Sequence, residues 1–86
     1  MYKVELKKSA EKFILCQNRK IQIQLISALD EISQNPRSTN VKKLAGMDDL
    51  YRARSGDYRI VYTIQDEKLI ILVVRIAHRK EIYKNL

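Results

Sequence analysis

Positively charged side chains recur through the last third of the chain, together with the single histidine and a late tyrosine. A guanidinium stays protonated, so it is poor core material and must be paired or left in contact with solvent. An anion is the simplest partner for several of them. The candidate residues are Arg52, Arg54, Arg59, His78, Arg79 and Tyr83.

The spacing of the arginines predicts a positively charged face on a sheet. Alternation along a strand places Arg52 and Arg54 on one face, and Arg59 of the next strand shares a face with Val61 and Thr63. Like charges directly opposite each other destabilise a sheet, and a bound anion would relieve that repulsion. In the alternative interpretation, these arginines only solvate an open face and pair with nearby acids.

Two other residues are candidates for proton transfer. His78 precedes Arg79 and Lys80, whose charges disfavour the imidazolium, whereas a bound phosphate favours it. Tyr83 could stack on a base or move a proton through its hydroxyl. The alternatives are that His78 is an ordinary surface residue and that Tyr83 only packs the chain end onto the core.

Composition narrows the class of protein. The chain has 86 residues, enough for one domain over 1–86, and a net charge of +7, with +3 in residues 1–41 and +4 in residues 42–86. Such a charge favours nucleic acid or an acidic protein as partner. Cys16 is the only cysteine, so a disulfide within the chain and a thiol zinc site are excluded. We expect a cytoplasmic protein with no membrane association.

The hydrophobic pattern predicts an α+β fold in the order strand, two helices, three strands. Residues 2–6 alternate as a strand, Ser9 is the expected cap of a helix over 10–16, and Asn18 caps a longer helix that ends at Asn35-Pro36. Residues 37–49 are expected to form a loop with Gly46 and with Val41 and Leu44 as anchors. Three antiparallel strands follow at 50–54, 58–64 and 69–76, with a three-residue turn at 55–57. The helical hairpin should cover one face of the twisted sheet.

Most enzyme classes are excluded by what the sequence lacks. It contains no Gly-rich phosphate loop, no Ser-His-Asp order and no cluster of metal ligands. Cleavage of RNA remains compatible, because the substrate's 2′-hydroxyl is the nucleophile. The protein need only orient it, accept its proton, stabilise the phosphorane and protonate the leaving oxygen. We expect neither a metal nor a cofactor.

The sequence resembles the RelE/ParE superfamily of bacterial toxins from type II toxin–antitoxin systems. The matching segments are residues 43–46 (KLAG), 50–62 (LYRARSGDYRIVY), 69–79 (LIILVVRIAHR) and 81–83 (EIY). Length and element order agree over essentially the entire chain. The RelE branch, as the resemblance implies, cleaves messenger RNA in the ribosomal A site, whereas the ParE branch poisons DNA gyrase.

The resemblance also implies roles for individual residues. Arg59 and Arg79 are expected to stabilise the phosphorane, with His78 or Tyr83 accepting the 2′-hydroxyl proton. Arg52 and Arg54 occupy positions where the best-known member of the family has lysines. Arginine suits charge stabilisation better than proton transfer. The residues expected to bind the RNA backbone are Arg52, Arg54, Lys43 and Lys80.

The expected partners are the ribosome, mRNA and a cognate antitoxin, with operator DNA contacted only through the antitoxin complex. Three hypotheses follow: a ribosome-dependent endoribonuclease, a ParE-like gyrase inhibitor that cuts nothing, and a degenerate toxin kept as a partner of its antitoxin. The full set of basic residues together with His78 and Tyr83 favours the first.

Overall fold

The computed structural model describes residues 1–38, 41–43 and 50–80. In this part of the chain, two helices pack on one face of a five-stranded sheet with the strand order β1-β5-β4-β3-β2. Strand β1 is parallel to β5, and the other neighbours are antiparallel. The elements are β1 Lys3–Leu6, α1 Lys8–Leu15, α2 Arg19–Gln34, β2 Val41–Lys43, β3 Leu50–Ser55, β4 Tyr58–Gln65 and β5 Ile70–His78.

The predicted α+β class is confirmed, with helices on one side of the sheet. Leu25, Leu29 and Ile32 of α2 pack against the inward side chains of the sheet, of which Ile60 and Tyr62 are fully buried. Burying such aliphatic side chains contributes about 1.5–3 kcal/mol each. Neither described helix is long and apolar enough to cross a membrane.

The start of helix α1 differs from the prediction. Lys7, not Ser9, is the N-cap residue, and its side chain makes no capping hydrogen bond. Its backbone N–H donates to the carbonyl of Val73 at 2.9 Å and its carbonyl accepts from Glu11 at 3.0 Å. The parallel pairing of β1 with β5 therefore sets the residue at which the helix begins. Capping side chains in the sequence do not reveal this start.

Helix α2 follows the prediction at both ends. The Asn18 side chain accepts a hydrogen bond from the backbone N–H of Ile21 at 2.9 Å, which satisfies one donor of the first turn. The last helical residue is Gln34, and Asn35 before Pro36 has left helical geometry.

The prediction that residues 37–49 form only a loop is wrong. Val41–Lys43 pairs with β3 as an additional edge strand, so β2 to β5 form four antiparallel strands rather than three. Three residues are too few to show alternation, and this strand exists because the free edge of β3 can pair with it. Leu44 and Gly46, also named in that prediction, lie outside the described residues.

The turn between β3 and β4 is also shorter than predicted. Ser55 belongs to β3 and pairs with Tyr58, so the connection has two residues, Gly56 and Asp57. Gly56 adopts a φ of 59°, which costs glycine little and which two-residue hairpin turns commonly require.

Candidate functional site

The register of β3 and β4 places two arginines directly opposite each other. Arg54 pairs with Arg59, while Arg52 pairs with Val61 on the same face. Ala53 and Ile60, which alternate with these residues, belong to the core under the helices. The arginines therefore occupy the opposite side of the sheet, which we call the open face.

Apolar residues form the floor of the open face. Val61 and Ala77 are buried there, with Leu50 and Val74 packed beside them. A floor of this kind keeps water from part of the charged groups above it, so an anion bound there interacts more strongly than in bulk solvent.

Arg59 lies at the centre of the positive charge. One terminal guanidinium nitrogen donates to the carbonyls of Gly56, at 3.1 Å, and Tyr58, at 3.0 Å. Its pKa is lowered, first by desolvation and then by the positive charges of Arg54, Arg52 and Arg79. An arginine still stays protonated. The Arg59 guanidinium is thus fixed by hydrogen bonds and surrounded by the positive charges of other arginines.

Arg79 joins the same group from the end of β5. Its backbone N–H donates to the carbonyl of Asp57 at 2.7 Å, and its Nε lies 3.8 Å from the carboxylate Oδ1 of Asp57. Arg59 and Arg79 therefore meet at the Gly56–Asp57 turn although 20 positions separate them in the sequence. We call Arg52, Arg54, Arg59 and Arg79 the arginine cluster.

His78 lies on the other side of the sheet. It pairs with Tyr58, and the two rings meet edge to face with centroids 5.6 Å apart, while Tyr58 also contacts Phe13 of α1. Its Nδ1 accepts a hydrogen bond from the backbone N–H of Lys80 at 3.3 Å. The structure therefore does not bring the imidazole onto the open face with Arg59, and its catalytic role stays a prediction that this placement disfavours.

A shift in the β4–β5 ladder explains the position of His78. Val61 pairs with Arg75, but Tyr62 pairs with Val73, so Val74 is an extra residue in β5. Such a bulge reverses the alternation beyond it. Unbroken alternation from Leu72 would have placed His78 on the open face.

The same shift brings in a residue that sequence reasoning missed. Arg75 pairs with Val61 and is half-buried on the open face. Its only sequence signal was a charge inside the apolar run of residues 70–77.

The two lysines of β2 point to different faces. Lys42 pairs with Arg52 and shares the open face, whereas Lys43 pairs with Tyr51, which packs on the helix side. Sequence reasoning named Lys43 and missed Lys42, because the strand itself was not predicted. Lys80 is exposed just after β5. Tyr83 lies outside the described residues.

The described residues contain no group of three or more His, Cys, Asp or Glu side chains that could hold a metal ion. What the arrangement can do is bind a phosphate between fixed guanidinium groups and stabilise added negative charge on it.

Comparison with known proteins identifies the family. A sequence family described as the ParE toxin of type II toxin-antitoxin systems, parDE, matches residues 4–83. The chain belongs to the RelE/ParE toxin superfamily. Among its relatives, the mRNA interferase toxin RelE of Escherichia coli K12 is 39% identical over 64 residues, or 70% of this chain. That alignment spans 66% of the relative, just under two thirds of its length.

Solved structures support the same assignment of this RelE/ParE-family chain. A chain of the intact E. coli RelBE toxin–antitoxin complex is 32% identical, with a TM-score of 0.77 over 91% of this chain and 96% of that one. A RelBE2 toxin–antitoxin complex from Mycobacterium tuberculosis contains a chain that is 26% identical, with a TM-score of 0.79 over 91% and 98% of the two chains. The RelE-like fold is therefore shared over nearly the whole chain.

Proposed function

We propose that the protein is the toxin of a type II toxin–antitoxin system and acts as a ribosome-dependent endoribonuclease on translated mRNA. The observation that carries this proposal is the arginine cluster, in which Arg59 is held among three further cations. Placing like charges together costs stability unless an anion is bound. A phosphodiester is an anion of suitable size and geometry for guanidinium groups.

The proposed reaction is an internal phosphoryl transfer. The 2′-hydroxyl oxygen gives up its proton and attacks the adjacent phosphorus while the bond from phosphorus to the 5′ oxygen breaks. The leaving 5′ oxygen takes up a proton, from water or from the group that accepted the first one, which leaves a 2′,3′-cyclic phosphate and a 5′-hydroxyl. Arg59 and Arg79 stabilise the extra charge of the phosphorane, and Arg52 and Arg54 hold the flanking backbone. Lys43 and Lys80 are secondary RNA contacts in this proposal, and Lys42 is a better placed one.

A proton acceptor is still needed, because arginine cannot serve as one. Tyr83 is the candidate we retain first, and His78 the second, since its ring lies against Tyr58 on the helix side. The open face presents few groups to hold a flexible substrate, which is consistent with the ribosome positioning the mRNA. A location in the cytoplasm, where translation occurs, follows from this proposal.

The test is single-turnover cleavage on programmed ribosomes. Arg59→Ala and Arg79→Ala should each lower the rate by about 100-fold or more, the scale seen when one donor to a developing charge is removed. Arg19→Ala, an exposed arginine at the start of α2, is the matched control and should leave the rate unchanged. The proposal fails if both cluster variants stay within about threefold of wild type.

A second function, inhibition of DNA gyrase without cleavage, is favoured by one observation, the match to the family described for ParE toxins. Mapping transcript ends after brief induction distinguishes the two. Codon-phased cuts within translated regions belong to the nuclease, while inhibition of growth without such cuts, together with gyrase-dependent DNA breaks, supports the inhibitor.

We also propose a cognate antitoxin as partner, with operator DNA contacted only through that complex. Both solved structures described above are toxin–antitoxin complexes. The net charge of +7 suits an acidic antitoxin segment. Co-expression with the neighbouring open reading frame should restore growth and yield a stable complex, whereas a chain that is harmless when expressed alone would contradict the toxin assignment.

A further inference from the structure

The turn between β3 and β4 is fixed by hydrogen bonds to three consecutive carbonyls. Ser55 accepts from the side-chain amide of Gln24 in α2 at 2.9 Å, and Gly56 accepts from Arg59 at 3.1 Å. Asp57 accepts from the backbone N–H of Arg79 at 2.7 Å. Two residues of the arginine cluster are therefore positioned by the same two-residue turn.

Asp57 brings a negative charge to this turn. Its Oδ1 lies 3.8 Å from Nε of Arg79, and both side chains are more than half exposed. Within the described residues, Asp57 is also the acid whose charge raises the pKa of Arg59, against the lowering by Arg54, Arg52 and Arg79. The carboxylate thus offsets part of the repulsion in the cluster from a position where solvent and ligands can reach it.

We propose that Asp57 is a positioning residue of the arginine cluster. Its main-chain carbonyl fixes Arg79 beside Arg59, and its carboxylate is the resident counter-ion that an incoming phosphate displaces from Arg79. Only the identity of that phosphate as part of an RNA rests on the proposed function. An exposed pair at 3.8 Å is weak, which is what reversible displacement requires.

The experiment is a titration of the full-length chain with inorganic phosphate, following the Nε–Hε resonances of Arg59 and Arg79 by NMR. Asp57→Asn keeps the main-chain carbonyl and the size of the side chain but removes the charge. It should lower the dissociation constant for phosphate by about twofold to fivefold, the range that an exposed ion pair allows. Asp57→Glu should restore the wild-type constant.

Glu67→Gln is the matched control. It removes the same charge from an exposed side chain in the turn at the other end of β4, an eight-residue strand that is about 23 Å long at about 3.3 Å per residue. It should leave the phosphate constant unchanged. In an Arg79→Ala background, Asp57→Asn should lose most of its effect, because the guanidinium that it releases is gone and only the weaker influence of Asp57 on Arg59 remains.

Three results would overturn the proposal: an equal gain in Glu67→Gln, which would indicate net charge alone, no gain in Asp57→Asn, or no response of the Arg79 resonance to phosphate in any variant. None of these depends on cleavage. Failure of the proposed nuclease would appear separately, as wild-type cleavage rates in Arg59→Ala and Arg79→Ala.

Discussion

The two ends of strand β4 each hold an arginine beside a turn, and they do so in opposite ways. Near the β4–β5 turn, Arg37 donates to both carboxylate oxygens of Asp66, at 3.1 and 2.8 Å, and Tyr2 donates to the same carboxylate at 2.7 Å. At the β3–β4 turn, Arg59 donates to main-chain carbonyls and lies opposite Arg54.

The pKa values of the two arginines move in opposite directions. Asp66, followed by smaller contributions from Tyr51 and Tyr2, raises the pKa of Arg37, whereas desolvation and neighbouring cations lower that of Arg59. Arg37 also lies 5.7 Å from the centre of the Tyr51 ring. Arg37 has a carboxylate and an aromatic ring beside it and connects distant parts of the fold. Arg59 is surrounded by other arginines and is suited to binding an anion.

The largest expected effect separates the two arginines by function. Arg59→Ala should lower single-turnover cleavage by about 100-fold to 1,000-fold. Its free energy of unfolding should change by less than about 1 kcal/mol, because relief of the like-charge repulsion offsets the loss of the side chain's packing. Cleavage assays and chemical denaturation of the same variant measure both quantities.

Arg37→Ala is the reciprocal variant. It should leave cleavage unchanged at low temperature and lower the midpoint of thermal unfolding by roughly 4 °C, since an exposed ion pair and a cation–π contact are lost. A comparable loss of cleavage in both variants would show that the contrast between the two ends of β4 has no functional meaning.

The next effect concerns only the free energy of unfolding, at the contact between β4 and the segment that carries Arg37. The buried Tyr62 hydroxyl donates to the carbonyl of Pro36 at 2.6 Å, and its ring stacks on Tyr51 at 6.0 Å. Tyr62→Phe leaves that carbonyl without this donor and should cost about 1–3 kcal/mol of unfolding free energy. Denaturant unfolding measures this, with an unchanged cleavage rate well below the midpoint as the control. An unchanged free energy of unfolding would indicate that the Pro36 carbonyl accepts a hydrogen bond from another donor in the variant.

Local sequence signals accounted for most of the fold. Alternation grouped Arg59 with Val61 and Thr63 on one face of β4, and Asn18 and Pro36 marked the ends of α2. The alternation of side chains, the capping residue and the proline effect depend only on residues close together in the sequence. They can therefore be recognised without knowledge of the fold. The placement of Arg52, Arg54 and Arg59 on one face depended on the same alternation.

Features that depend on pairing between distant segments were not predictable. The extra residue in β5 changes the faces of Arg75 and His78, and nothing in residues 70–78 marks it. Strand β2 exists through its pairing with β3, so the contrast between Lys42 and Lys43 was also hidden. The sheet face of each candidate side chain was therefore predictable where strands are regular and not where the register between distant strands decides it.

The different faces of Lys42 and Lys43 predict a smaller effect, which concerns RNA binding on the face that carries Arg59. Lys42→Ala should weaken the binding of a single-stranded RNA and reduce the slope of log K against log salt concentration by about 0.7, as expected when one phosphate contact is lost. Lys43→Ala, with the same change of charge on the helix side of the same strand, should reduce the slope less. Equal slopes in the two variants would show that RNA is not bound across the open face.

The smallest effect is a dependence of stability on acid at the Arg37 end. The hydrogen bonds from Arg37, then from Tyr2, lower the pKa of Asp66 below its ordinary value. The carboxylate therefore binds protons more readily in the unfolded chain, so its contribution to stability is complete above a pH of about 4 and is lost as the pH falls through the lowered pKa. Thermal unfolding of wild type and Asp66→Asn should differ by a constant amount from about pH 5 to pH 8, with the gap closing below about pH 4. In an Arg37→Ala background the gap should be smaller at every pH, and a gap that persists undiminished at about pH 2 would mean that Asp66 acts through something other than its charge.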